Sequence, residues 1–275
     1  MLWQKKEQDK MKNIKVIVAT HKKYQMPKDD IYLPVRVYAS DKEPIEGYTP
    51  DNTGYNISEK NPSFCELTAL YWAWKNLDAD YIGLCHYRRY FSNSKKIPKT
   101  GDKRFDIVLS HKEADSILED YDVILPKLRK YHIENLYDHY KHTMYVEPLD
   151  ETRNIIEDMC PEYIYEFDKL HKRTSAHMFN MFIMKKEILN EYCEWLFDIL
   201  FELEKRMKIQ SNNYDTFHAR FYGRISELLL DVWINTKGLE YNEVKVIDME
   251  KINWWEKGTS FLKAKFFGKK YERSF

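Results

Sequence analysis

The chain has 275 residues, 43% of them hydrophobic and 15% aromatic, which supplies a packed core and argues against default disorder. Forty-four Lys and Arg balance 44 Asp and Glu, so no global positive field favours non-specific nucleic-acid binding. Cys65, Cys85, Cys160 and Cys193 are scattered without a C-x-x-C pair, the apolar runs fall short of the ~18 residues that cross a bilayer, and the amino end carries no signal-like stretch, so a cytoplasmic chain is expected.

Residues 1–12 are polar and read as a flexible lead-in. Ile14 to Thr20 is rich in β-branched residues, the composition of a buried first strand, and Pro34 to Tyr38 suits a second. From Asp41 to Pro62, prolines and glycines lie among Asp, Asn and Ser, which is loop chemistry; loops this long in compact domains tend to be functional. Ser63 and Glu66 have capping-box spacing, and Leu67, Leu70, Tyr71, Trp74 and Leu77 recur at helical intervals behind them.

After the break Asp78-Ala79-Asp80, strands are predicted over Tyr81–Cys85, Phe105–Leu109 and Asp122–Leu125, the last stopped by Pro126. Helical patterns cover 132–143 and 150–172, with Pro161 dividing the second. A short apolar strand fits His177–Met184. A long helix fits Lys185–Met207 with the stripe Ile188, Tyr192, Trp195, Ile199 and Leu203. Another helix fits Gly223–Lys237, stopped by Gly238, and a last strand fits Glu243–Asp248. Strands alternating with helices predict a Rossmann-like α/β domain over 13–250 with a mostly parallel central sheet and a helix-rich second half. Ligands of such sheets bind beyond the carboxyl ends of the strands.

The strongest local signal is His86-Tyr87-Arg88-Arg89-Tyr90-Phe91, an imidazole and two guanidiniums directly after a buried strand. Guanidinium forks match phosphate oxygens and stabilise a departing pyrophosphate. The alternative is a core histidine beside two surface charges. Thr20, His21 and Lys22 end the first strand, where they border a nucleotide or serve as ordinary strand-end polarity. Asn56 and Asn61 belong to a segment that lines a pocket or simply turns. Asp78 and Asp80 have the D-x-D spacing of an Mn²⁺ motif, but they precede their strand and read as a turn; the strand-end position holds His86 to Arg89 instead, so cations are expected to replace the metal, with Mn²⁺ or Mg²⁺ as the alternative.

His177 and Asn180 flank an apolar strand and are placed to face an acceptor sugar. Arg220 and Arg224 lead into a helix within reach of a phosphate, and Glu227 is a candidate general base or an ion-pair partner. His132, His139 and His142 read as solvent-facing, because no carboxylate pattern makes them a metal site. The tail, 251–275, interleaves aromatics with Lys and Arg, which suits either an anionic membrane surface or packing on its own domain.

Asn56-Ile57-Ser58, Lys60-Asn61, Cys65 to Thr68, Tyr71 to Asn76 and the run Tyr81 to Phe91 resemble a bacterial family of capsular and exopolysaccharide synthesis, long filed as a domain of unknown function. Its members look like GT-A-type glycosyltransferases, some linked to galactofuranose transfer. The resemblance spans residues 14–250 and is carried chiefly by His86 to Phe91; the chain departs from it at Tyr55, where members often carry an acid. It implies a GT-A-like fold, a UDP-sugar donor, and a lipid-linked capsular, exopolysaccharide or O-antigen acceptor at the inner face of the cell membrane. Thr20, His21 and Lys22 then border the uridine, Asn56, Asn61 and Glu66 shape the wall, and His86, Arg88 and Arg89 hold the diphosphate. If the reaction inverts configuration, Glu227 takes the acceptor proton. The rival is a non-catalytic carbohydrate-binding or polysaccharide-assembly protein on the same fold.

Overall fold

The computed structural model describes residues 11–40, 42–98 and 102–250, and in the tail Thr259, Phe261, Ala264, Lys265 and Lys270. The strands are β1 (Ile14–Thr20), β2 (Tyr32–Arg36), β3 (Thr49–Pro50), β4 (Tyr81–His86), β5 (Arg89–Ser92), β6 (Val123–Pro126), β7 (Arg129–Lys130), β8 (Ser175–Ala176), β9 (Phe182–Lys185) and β10 (Asn242–Asp248). The helices are α1 (Asn61–Phe64), α2 (Leu67–Asn76), α3 (His111–Ile117), α4 (Leu136–Thr143), α5 (Glu147–Met159), α6 (Ile164–Lys172), α7 (Lys186–Ser211) and α8 (Phe221–Lys237).

β1 pairs in parallel with β2 and β4, and β2 with β3. β9 then lies antiparallel between β4 and β6, while β10 runs parallel to β6 and antiparallel to β5. The sheet is therefore mixed, which corrects the mostly parallel expectation. The chain returns through β9 against the direction of β4. It also folds back from β4 into β5 through Tyr87 and Arg88, with His86 paired to Arg89, and so short a connection can join only antiparallel neighbours. A separate two-stranded piece joins β7 to β8.

The central strands are buried on both faces because both sets of alternating side chains are apolar. Ile17, Ala19, Ile82, Leu84, Phe182 and Met184 meet the helical layer that contains α2, α5, α6, α7 and α8. Val16, Val18, Tyr81, Cys85 and Ile183 face the thinner layer that includes Leu109, Ala114 and Leu118. Gly83 allows β4 and β9 to approach: a Cβ there would lie 2.7 Å from the Phe182 carbonyl oxygen and 2.8 Å from Ile183 Cγ1. The helical second half, the division at Pro161 and the stop at Gly238 are as expected.

Several boundaries differ. The second strand is Tyr32–Arg36 rather than 34–38, the helix expected from 132 begins at Leu136, and the strand expected from His177 begins at Phe182. Phe105–Leu109 is not a strand. Asp102–Ile107 forms a 3-10 turn, and only Leu109 donates a backbone hydrogen bond to Phe91 (2.8 Å), while Phe105 and Ile107 satisfy their apolar pattern by packing on the thinner core.

The Ser63/Glu66 capping box does not form either. Ser63 lies inside α1 and donates its hydroxyl to the Lys60 carbonyl (3.2 Å), and Cys65, at φ +53°, breaks the path before α2. A capping box does form at Ser110 and Glu113. In the tail, Phe261 and Ala264 are buried and Lys265 pairs with Glu134 (3.3 Å), so these residues pack on their own domain; Trp254, Trp255 and most of the other aromatic and basic tail residues lie outside the described residues.

Candidate active site

A cleft of ≈ 780 Å³ opens where β1 and β4 end, a volume suited to a nucleotide-sized ligand. Apolar residues carry β4 through the core as far as Cys85; His86 is its first side chain to reach the cleft, and the turn into β5 delivers Arg88 and Arg89 beside it. The His86 ring nitrogen Nε2 lies 3.2 Å from the Phe179 carbonyl oxygen and 3.7 Å from Glu66 Oε1. A carbonyl can only accept, so Nε2 carries the proton. Burial lowers the His86 pKa; Glu66 opposes this, and Arg89 and Arg88 reinforce it.

Arg89 donates from Nε to Asp248 (3.0 Å) and stacks over the Phe179 ring at 4.4 Å. Arg88 lies 5.3 Å from the Tyr87 ring and pairs with Glu250 at 3.5 Å. Glu66, freed from capping, accepts from Asn180 Nδ2 at 2.6 Å, and the same amide donates to the Gly223 carbonyl at 2.9 Å. Glu227 stands one turn beyond Gly223 on α8. Burial pushes its pKa up; Arg224 opposes that and Glu66 adds to it.

Seven lysine and arginine side chains against three glutamates line the cleft of a chain whose formal net charge is zero. The cleft is thus a local cationic well, in which oriented guanidiniums bind oxyanions more strongly than they would in water. Burial and the charges of Lys22, Lys42, Arg88 and Arg220 all lower the His21 pKa, which keeps that imidazole neutral. Among the described residues, the non-glycine positions with positive φ are Tyr38, Cys65, Phe179 and Asn180. Three of them line the cleft and Asn180 holds Glu66, so the backbone strain of the fold is concentrated here.

Thr20, His21, Asn61, Glu66, His86, Arg88, Arg89, Arg220, Arg224 and Glu227 are brought together on its walls. The Thr20 hydroxyl is spent within the strand-end turn, donating to the Lys22 carbonyl at 2.8 Å. Lys22 itself lies over the rings of Tyr24 and Tyr87 rather than among the lining residues. Asn56 is a turn former, donating to the Gly54 carbonyl (3.0 Å) and accepting from the Ser58 amide (3.2 Å).

His177 is away from the cleft. Its side chain is 2% exposed, with Nδ1 on Asp231 and Nε2 3.1 Å from Glu243. Asn180 is buried behind Glu66, so both residues expected to face an acceptor instead hold other groups in place. His139 and His142 are not free solvent-facing rings: each places Nδ1 on the buried carboxylate of Glu134, at 3.1 and 2.8 Å.

The sequence reading missed the wall built by Arg129, Lys130, Tyr131, Glu134 and His139, and missed Tyr38 and Lys42, which also line the cleft. A signal for it existed: Lys127, Arg129 and Lys130 directly follow Pro126, which stops β6, and so mark another strand carboxyl end.

A mixed α/β sheet with a cationic cleft at its strand ends defines a protein built to bind an anionic ligand such as a phosphorylated one. The apo structure of the WbbM bifunctional glycosyltransferase is similar to this chain, with a TM-score of 0.78 and 31% identity over 87% of this chain and 46% of that one. The chain thus spans less than half the length of that protein. Residues 15–238 match the family described as Domain of unknown function (DUF4422), and the chain belongs to it. No curated protein matches.

Proposed function

We propose that the chain is a GT-A-like glycosyltransferase that moves a sugar from a UDP-sugar to a lipid-linked acceptor in capsular, exopolysaccharide or O-antigen synthesis. The observation that carries this reading is the placement of His86, Arg88 and Arg89 in a cationic cleft at the carboxyl end of β4, on a fold similar to that of a glycosyltransferase. In the proposed reaction an acceptor hydroxyl oxygen attacks the anomeric carbon of the donor. The bond from that carbon to the β-phosphate oxygen breaks, and its electron pair leaves with UDP.

Arg88 and Arg89 stabilise the charge that develops on the diphosphate, while neutral His86, whose one proton goes to the Phe179 carbonyl, leaves Nδ1 as an acceptor for a ligand hydroxyl. In an inverting reaction Glu227 takes the acceptor proton; Glu66 and Arg224 beside it set how readily it does so. Among the described residues no set of three or more His, Cys, Asp or Glu side chains is arranged to hold a metal ion; loss of activity with EDTA, restored by Mn²⁺, would contradict the cationic role given to Arg88 and Arg89. Among the described residues no helix is long and apolar enough to cross a membrane; the proposed membrane contact rests on the composition of the tail.

The test is UDP release across a panel of UDP-sugars, followed by single-turnover transfer with Arg88→Ala. Loss of one such charge-stabilising donor should slow transfer about 10²- to 10³-fold. Turnover close to wild type would remove the diphosphate role. Absence of UDP release with any donor would favour the carbohydrate-binding rival.

A further inference from the structure

The cleft has a second wall whose chemistry differs from that of the strand end. Tyr131 lies against His139 with ring centroids 4.4 Å apart, and His139 stacks on Phe261 at 5.5 Å with an interplanar angle of 29°. All three line the cleft, so the rings form a continuous aromatic strip. Behind it, Glu134 is 4% exposed and accepts from Nδ1 of both His139 and His142, with Lys265 at 3.3 Å. That bond fixes the His139 tautomer, leaving Nε2 as an acceptor. Burial also lowers the His139 pKa to about 4, so the ring is neutral rather than a cation.

Phe179 joins the two walls. Its ring carries Arg89 at 4.4 Å and Arg129 at 5.3 Å, and Arg129 in turn lies 5.3 Å from the Tyr131 ring. A ligand held by its diphosphate at Arg88 and Arg89 would direct its far end along this path.

We propose that the strip Tyr131–His139–Phe261, backed by Glu134, is the acceptor subsite and stacks a pyranose or furanose ring of the acceptor saccharide. A sugar ring offers a C–H face to aromatic rings and hydroxyls to an imidazole nitrogen, and this wall provides both the rings and His139 Nε2. The other planar ligand, the uracil of the proposed donor, is assigned to the ends of β1 and β2, where Thr20, His21, Tyr38 and Lys42 line the cleft. This assignment rests on the transferase reading for its role, though not for the binding it predicts.

The probes are octyl β-glucoside and octyl β-galactoside, observed by saturation-transfer NMR on the full chain, with UDP affinity measured alongside by calorimetry. Saturation of sugar-ring protons is expected for wild type. It should weaken about fivefold to tenfold in Phe261→Leu and in Tyr131→Leu, each of which keeps apolar volume and removes a ring, and UDP affinity should stay within about twofold. Melting curves show whether each variant is folded; where Tyr131→Leu is not, Phe261→Leu decides alone. The assignment fails if neither glycoside shows ring saturation with wild type, or if saturation survives in the folded variants. It fails equally if UDP affinity drops instead, which would put uracil on the strip. Glycoside binding by a wild-type chain that neither binds nor releases UDP would uphold the subsite and overturn the transferase reading.

Discussion

The carboxyl end of β4 and the middle of α8 each enclose a histidine, and the two rings are tuned in opposite directions. His86 is 21% exposed at the cleft; burial lowers its pKa, Glu66 opposes this, and the guanidiniums of Arg89 and Arg88 add to the lowering. His177 is 2% exposed, so burial alone would lower it too, yet its pKa is raised because Asp231 and Glu243 take up its two ring nitrogens. Both of those partners are acceptors, so His177 is an imidazolium, whereas His86 donates one proton to a carbonyl and stays neutral. The sign of the neighbouring charges, rather than burial, separates a structural clamp joining the segment after β8 to α8 and β10 from a site able to meet an anion.

The largest expected effect breaks the clamp. Asp231→Asn leaves a buried imidazolium short of its main counter-charge and should cost about 3–5 kcal/mol in urea unfolding. Arg88→Ala should do the reverse, slowing transfer while hardly changing stability, because its ion pair with Glu250 is exposed on both sides, at 42% and 46%. If both variants lose stability alike, the two regions are not separable.

A pH series sharpens the same contrast. A folded pKa raised above the ordinary value of 6.5 stabilises fully below that value, and the gain disappears as pH climbs through the folded pKa. Wild type should therefore exceed His177→Gln in urea midpoint most at about pH 6, with the gap narrowing towards about pH 9. A gap that widens with pH would mean that the ring is buried neutral.

The β4 end was legible because a wholly apolar run stops abruptly at His86-Tyr87-Arg88-Arg89, a purely local pattern. His177 looked like a strand-edge polar residue for the opposite reason: Asp231 and Glu243 are 54 and 66 residues away, and nothing local marks them as partners. The wall from Arg129 to His139 was hidden because β7 has only two residues and pairs with β8 far along the chain. Two residues are too few to show a period. The Ser63/Glu66 spacing misled because Cys65 adopts a conformation that its side chain does not advertise, and that single φ turns Glu66 from a cap into a cleft carboxylate.

The smallest effect concerns α8 itself, which carries Arg224 and Glu227 at the cleft and Asp231 in the clamp. It ends at Gly238, φ +62°, where the glycine amide donates to the Asn235 carbonyl and that of Leu239 to the Ile234 carbonyl, each at 3.2 Å. This left-handed close satisfies carbonyls that the helix end would otherwise leave open. Nothing lies within 4 Å of the position a Cβ would take, so Gly238→Ala meets no clash and pays only for the backbone conformation. About 1 kcal/mol of stability should be lost in urea unfolding, with single-turnover transfer unchanged, because the cleft residues stand more than two helical turns away along α8. A fall in transfer comparable to that of Arg88→Ala would mean that the end of α8 sets the position of Glu227, and that clamp and cleft behave as one unit.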